Sequence, residues 1–168
     1  DLFGVSLEKA GWADFDHYLA PAAAGLELFP GWDAEYPAFI PGAGFTVRPR
    51  PGAEVLATRT LPWPAPDRRA FASIHSNPPW AASDQPEAVY NRFGRGACIY
   101  CASPIEDHEI LGDSFLRLVR HLTGPLTVEV DTHPSVEVTL FHQAQRDRHL
   151  LALASFQKDL PNLPVLLE

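Results

Sequence analysis

The sequence predicts a fold in which a β meander and an amphipathic helix are followed by antiparallel strands of a second domain. Three patterns support this prediction. Between Gly44 and Ser103, apolar and polar residues alternate with a period of two, as in strands. Between Pro104 and Thr123, apolar residues recur at helical spacing. After Gly124 the alternation with a period of two returns, which indicates further strands.

The first forty or so residues are aromatic and rich in proline and glycine. Their aromatic side chains follow no fixed period, so the segment predicts loops and short helices rather than strands. Residues 14–24 are compatible with a brief helical turn, which Pro21 limits.

The predicted meander consists of three runs, FTVRP (45–49), AEVLATRTL (53–61) and RAFASIHS (69–76). The turns between them contain proline and glycine, which reverse the chain and interrupt the hydrogen-bond ladder. A loop, HSNPPWAASDQP (75–86), follows the third run. It leads to a predicted hairpin in which EAVYNRF and ACIYCAS are joined by GRG, whose glycines can adopt the positive φ angles of a tight turn.

The helix is predicted from apolar residues on one face, and Gly124-Pro125 ends it. These apolar residues are Ile110, Leu111, Phe115, Leu118, Val119 and Leu122. Beyond the helix the strands LTVEVDTHP, SVEVTLFHQ and RHLLALASF are predicted, with AQRD as a hairpin turn between the last two. We therefore place a domain boundary near residues 124–130, with domains 1–123 and 124–168, the second being the start of a β-sandwich.

Composition excludes several classes of function. The formal net charge is -8, and no basic run is dense enough to follow a phosphate backbone, so nucleic acid is not expected as a partner. No stretch approaches the roughly 20 apolar residues of a membrane span, so no membrane partner is expected either. The first residues lack the pattern of a signal peptide. Two cysteines make no disulfide framework, so a reducing cytoplasm is the expected compartment.

Two clusters of potential metal ligands have simpler structural interpretations. Cys98 and Cys101 lie three apart in a predicted strand, so their sulfurs point to opposite faces and neither a zinc site nor a redox pair is expected. The acidic run from Glu106 to Glu109 is consecutive, whereas ligands on one helix face are three or four apart. Acidic residues are common at the positive end of a helix. No metal or other cofactor is therefore expected.

The search for catalytic groups gives none that the sequence supports. Ser73 and Ser76 lie beside His75, but no G-x-S-x-G elbow is present. Glycoside hydrolysis needs two carboxylates about 5 or about 6.5–9.5 Å apart across a sugar site. Glu87 and Glu106 are candidate acids, although spacing in sequence gives no distance between them. No catalytic residue is predicted.

The loop around residues 75–80 is the candidate binding site. It combines His75, Asn77 and Trp80 with two prolines directly after a predicted strand. Loops at strand ends often carry function, and a tryptophan beside polar groups suits a sugar face or a partner protein. The alternative is that Asn77 and the prolines only shape a turn while His75 satisfies backbone groups.

The sequence resembles a region of bacterial β-galactosidase-like and fucosidase-like glycoside hydrolases. The resemblance is carried by ordered segments: RPGAEVLATRTLP, FASIHSNPP, NRFGRGACIYCASPIE, PSVEVTLFHQ and ALASFQKDLPNLPV. It is most specific over residues 50–106 and 134–165. It implies an α/β fold, namely an incomplete class I glutamine amidotransferase-like (flavodoxin-like) domain of the trimerisation type, followed by a small β-sandwich. A glutamine-hydrolysing activity is not implied, because no nucleophile elbow is present.

The resemblance implies that the catalytic carboxylates belong to a preceding barrel that these residues do not include. The chain has no Met and ends in the apolar run PVLLE, and we expect it to be a piece of a longer enzyme. The leading hypothesis is an inactive accessory and oligomerisation region of a glycoside hydrolase acting on galactosides or fucosides. Its expected partners are that catalytic barrel and further copies of itself, with carbohydrate as a further candidate. The alternatives are a sugar-binding or active-site-rim module using His75, Asn77 and Trp80, and an independent hydrolase using Glu106 or Glu87.

Overall fold

The computed structural model describes residues 2–9, 16–42, 44–63, 77–125, 127–133, 135–156 and 166–167. The chain divides into two compact units, residues 1–124 and 125–168. The strands, in chain order, are β1 (Val5–Lys9), β2 (His17–Pro21), β3 (Ala38–Ile40), β4 (Thr46–Pro49), β5 (Glu54–Pro62), β6 (Pro79–Phe93), β7 (Gly96–Cys101), β8 (Val130–Asp131), β9 (Val136–Gln143), β10 (Arg148–Ser155) and β11 (Leu166–Leu167).

The first unit is built on a curled five-stranded sheet with the order β3-β2-β5-β6-β7. Every strand pair in the described part of the chain is antiparallel. A flavodoxin-like sheet is parallel, and each parallel pair needs a long crossover that is usually helical. The protein is therefore mainly β, and the predicted α/β, amidotransferase-like fold is wrong.

Two layers cover this sheet and form its hydrophobic core. The two-stranded ribbon of β1 and β4 packs on one face, where Val5 and Val47 meet Val89 of β6. On the other face lies the helix α1 (Gly112–Thr123), preceded by two 3₁₀ turns. Its buried Leu118 joins the larger apolar cluster around Phe29. Burying apolar residues of adjacent strands against these layers supplies the main driving force for the fold.

Several sequence predictions differ from the structure in the N-terminal region and before β6. The segment predicted as loop and short helix contains β1, β2 and β3, because pairing with other strands outweighs the lack of local periodicity. The predicted loop 75–86 is strand from Pro79 onward. Here β6 pairs with β5 with several register shifts. These shifts allow a strand in which apolar and polar residues do not alternate strictly. The predicted strand RAFASIHS lies outside the described residues.

The predicted hairpin is confirmed, and the predicted helix is confirmed from Gly112 to Thr123, whereas residues 105–111 form two 3₁₀ turns. β6 and β7 pair from Ala88 with Cys101 to Phe93 with Gly96. Gly94 in the turn between them has a φ of 60°, a conformation that favours glycine. The helix ends where Gly124, at a φ of 73°, donates its backbone N–H to the Arg120 carbonyl. Among the described residues, no helix combines the length and the apolar character that a membrane-spanning helix requires.

The second unit contains the predicted hairpin of β9 and β10, paired along its whole length from Val136 with Ser155 to Gln143 with Arg148. All of β10 is exposed. Large apolar side chains of the hairpin, such as Phe141 and Leu153, are also exposed. A two-stranded hairpin is marginally stable without a covering layer. That this unit is the start of a β-sandwich stays a prediction.

Close packing around Gly25 gives a test of the first unit. A Cβ at Gly25 would collide with the backbone carbonyl oxygen of Leu56. That oxygen already accepts the Ala22 N–H at 2.9 Å, so it cannot move freely. We expect Gly25→Ala to lower the free energy of unfolding by about 1–3 kcal/mol, measured by urea denaturation.

Gly112→Ala is the matched control, since a Cβ there would meet nothing within 4 Å at the start of α1. It should be neutral or stabilising by up to about 1 kcal/mol. Equal effects of the two substitutions would contradict the packing at Gly25.

Candidate functional site

The strongest concentration of polar chemistry is a buried cluster in the five-stranded sheet. His17 begins β2, Arg59 lies on β5, Glu87 lies on β6 and Ser103 follows β7. All four are at most 4% exposed. Because these strands are neighbours in the sheet, the fold brings together residues that are far apart in sequence. Sequence analysis considered only Glu87 among them.

Glu87 is the centre of this cluster, and each of its oxygens has partners. Oε1 accepts the Arg59 guanidinium through both Nε and Nη2 and lies 3.3 Å from His17 Nε2. Oε2 accepts the Ser103 hydroxyl at 2.8 Å. Arg59 also donates to the Phe45 carbonyl at 3.3 Å. A buried carboxylate is tolerated only when it is paired and hydrogen-bonded in this way.

Gly44 is required for space beside the cluster. A Cβ at this position would lie 2.5 Å from Ser103 Oγ and 2.7 Å from Arg59 Nη2. Its φ is not in the left-handed region, so the requirement is close approach rather than backbone conformation. The segment carrying Gly44 and Phe45 therefore closes the cluster on one side, and this closure contributes to the burial of Arg59.

The residues Ser103, His17 and Glu87 do not form a catalytic triad, although the types match. The single hydroxyl proton of Ser103 goes to Glu87, so His17 Nε2, 3.1 Å from Ser103 Oγ, must be the donor there. In a triad the histidine accepts the serine proton and the acid binds the other ring nitrogen. Here Nδ1 of His17 is buried with no hydrogen-bond partner among the described residues. The cluster is therefore an internal stabilising network.

The two candidate acids of a glycosidase do not face each other across a cleft. Glu87 is wholly buried in the cluster, whereas Glu106 is exposed in the 3₁₀ turn Ile105–Asp107. A carboxylate that is sealed from solvent cannot meet a sugar, so the pair lacks the arrangement that glycoside hydrolysis needs. Among the described residues, no group of three or more histidine, cysteine or acidic side chains could hold a metal ion.

An apolar groove of about 570 Å³ lies beside β7, the outermost strand of the sheet on that side. Residues of the β7 edge and of α1 form its walls, with Glu106 as the charged group. Its lining residues include Phe45, Ile99, Tyr100, Cys101, Glu106 and Phe115. Phe45 and Phe115 are 38% and 39% exposed. The outer edge of a sheet and an open apolar groove together are typical of a surface that another chain covers.

The thiol of Cys101 in the groove is unreactive because its pKa is raised. Burial raises the pKa of Cys101 to about 12, with further contributions from the charges of Glu106 and Glu87. Burial, together with Cys101 and Glu87, also raises the pKa of Tyr100. Both groups therefore stay protonated near neutral pH. Cys98, on the same strand, is also a free thiol and donates to the Leu2 carbonyl at 2.8 Å.

The structure describes two of the three predicted binding residues. His75 lies outside the described residues. Asn77 is half-buried, and its backbone carbonyl accepts the Tyr18 hydroxyl. Its side-chain Oδ1 is buried, with no hydrogen-bond partner in the part of the chain that the structure describes. Trp80 is 62% exposed near the start of β6. It contacts Trp63, which sequence analysis missed because Trp63 follows a strand that is distant along the chain.

Comparison with known proteins shows the fold. No family model matches the sequence, and the search of curated proteins gives no match. Among solved structures, the chain is similar to α-L-fucosidase isoenzyme 2 from Paenibacillus thiaminolyticus, with a TM-score of 0.65 and 23% sequence identity. The match covers 90% of this chain and 22% of the fucosidase, so the chain spans about a fifth of that protein. The fucosidase part of the predicted resemblance is thus supported at the level of fold.

The buried cluster gives a stability prediction. Glu87→Gln removes the charge that compensates Arg59, and breaking a buried ion pair costs about 3–5 kcal/mol. We expect a loss of that size in the free energy of unfolding, measured by urea denaturation. Glu106→Gln, which changes an exposed acid, should stay within about 0.5 kcal/mol. Similar losses for both variants would show that Glu87 is not the centre of the network.

The raised pKa of Cys101 gives a labelling prediction. A pKa of about 12 leaves almost no thiolate at a pH of about 8, and the thiolate is the reactive form. Iodoacetamide should therefore modify Cys98 well before Cys101, as measured by peptide mass spectrometry, and Cys101 should react readily only after unfolding in urea. In a Cys98→Ser variant Cys101 is the one remaining cysteine, so its labelling rate can be measured by itself. Rapid labelling of Cys101 in that folded variant would contradict the buried environment.

Proposed function

We propose that the chain is a non-catalytic accessory region of a glycoside hydrolase and that it contributes to assembly of the enzyme. The observation that carries this proposal is the fold that it shares with about a fifth of a fucosidase. That share leaves room in a parent protein of similar size for a separate catalytic domain. The name of the similar protein favours fucosides as the substrate class, and no feature of the fold favours galactosides.

The assignment of a non-catalytic role is supported by the state of the candidate acids. Glu87 is engaged by Arg59, His17 and Ser103 and is closed to solvent. Among the described residues that line the groove, Glu106 is the single carboxylate. A retaining or inverting glycosidase needs two such groups. The parent enzyme would have to supply both from residues outside this chain.

The assembly role is supported by uncovered apolar surface on the first unit. The groove beside β7 exposes Phe45 and Phe115, and α1 also presents Leu116 and Leu122 to solvent. Phe115 and Leu122 lie one turn from the buried Leu118 on the same face of α1, so the apolar face of the helix extends beyond its buried part, as at a protein contact. We assign the groove and this side of α1, which we call the β7–α1 surface, to contact with a second copy of the chain.

Phe115 lies in the β7–α1 surface and gives the test of assembly. Replacing it with Asp places a charge in an apolar contact, so Phe115→Asp should convert an oligomer into monomers, measured by light scattering over a range of concentrations. Because Phe115 is 39% exposed, the fold should tolerate the change.

Leu26→Asp is the matched control, since Leu26 is an exposed apolar residue in a turn outside the groove. It should keep the oligomeric mass of the parent sequence. A parent sequence that is monomeric at all concentrations, or an unchanged mass for Phe115→Asp, would remove the assembly role.

A further inference from the structure

Two indole rings form an exposed pair at one end of the five-stranded sheet. Trp63 follows β5 and Trp80 is near the start of β6, and their ring centroids lie 4.7 Å apart at an interplanar angle of 86°. They are 53% and 62% exposed. Single exposed apolar residues are ordinary, but two adjoining indoles are a larger apolar patch than scattered exposure produces.

The backbone beneath the pair is held firmly, so the rings have a defined position. The Trp63 N–H donates to the Pro78 carbonyl at 2.9 Å, and Pro62 pairs with Pro79. Proline fixes φ, which limits local movement of both strands. The Tyr18 hydroxyl donates to the Asn77 carbonyl and anchors the segment that leads to Trp80. A preformed site of this kind loses little conformational entropy when it binds a ligand.

The pair matches the chemistry of a sugar ring. A pyranose has an apolar face of C–H groups and hydroxyls around its edge, and an indole offers an apolar face and an N–H donor. Perpendicular indoles form a corner, in which one ring can receive the sugar face while the other borders its edge.

The size of the patch favours a small ligand over a protein partner. From the roughly 150–250 Å² of a full indole, the exposed fractions leave roughly 200–300 Å² for the pair. A stable protein interface buries about 800 Å² on each partner. A single sugar ring, by contrast, is comparable in size to one indole face.

We propose that Trp63 and Trp80 form a binding site for a neutral pyranose ring. The choice of glycosides as ligand class rests on the proposed function. The binding itself depends on the two indoles. The site would hold a substrate or product sugar near the enzyme without taking part in bond cleavage.

Titration of the chain with methyl α-L-fucopyranoside and methyl β-D-galactopyranoside tests this proposal, with heat and tryptophan emission as readouts. At least one glycoside should bind and change the emission. Trp80→Ala and Trp63→Ala should each weaken binding about tenfold or more, and Trp80→Phe should retain part of it. Circular dichroism of each variant checks that the fold is kept.

Phe93→Ala is the matched control, because Phe93 is a 51% exposed aromatic residue at the other end of β6. It should leave binding unchanged. Absence of binding by either glycoside, or equal affinity in Trp80→Ala, would overturn the proposal. A change of oligomeric mass in Trp80→Ala without sugar binding would assign the pair to a protein contact and overturn it as well. The Phe115→Asp test uses a different residue and a different measurement. Its outcome therefore decides the assembly role independently of these results.

Discussion

The buried ion pair between Arg59 and Glu87 is the interaction on which the arrangement of the first unit depends. A guanidinium and a carboxylate inside a sheet are destabilising unless each polar atom is satisfied. Glu87 obtains this from Ser103 and His17, and Arg59 obtains it from the Phe45 carbonyl. The start of β2, the end of β7 and the segment before β4 must therefore meet at one point. A shift of any of them would leave a buried charge without its partners.

The hydrogen bonds around this ion pair also leave the buried cluster unable to act as a catalytic site. The cluster contains the residue types of a hydrolase, but its serine donates its proton to the acid rather than to the histidine. The cluster is also closed to solvent. The two surfaces proposed to meet partners, the β7–α1 surface and the indole pair, are mainly apolar. Open and mainly apolar surfaces suit recognition of a protein or a sugar ring, whereas catalysis requires converging reactive groups.

The sequence predicted those elements that local patterns determine. The GRG hairpin and the helix ending at Gly124 follow from glycine conformation and helical spacing, and both are present. β2 was missed because its burial arises from pairing with β3 and β5, which no local pattern encodes. The buried state of Glu87 and the contact of Trp63 with Trp80 likewise come from strand register over long separations. The α/β prediction failed because it followed the family resemblance, whereas the strand runs by themselves indicated an antiparallel meander.

The long strand β6 keeps the two proposed surfaces apart, so they can act at the same time. Trp80 lies near its start, while Ala88 to Phe93, at its far end, pair with β7, which borders the groove. Pro79 and Ala88 pair with Pro62 and Ala57 of β5, which lie five positions apart, so at about 3.3 Å per residue these two points of β6 are roughly 17 Å apart. Glu87 lies beside Ala88 and fixes the far end of the strand in the buried cluster. A partner at the groove and a sugar at the indoles would therefore bind at opposite ends of one rigidly held strand, so occupation of one surface leaves the other accessible.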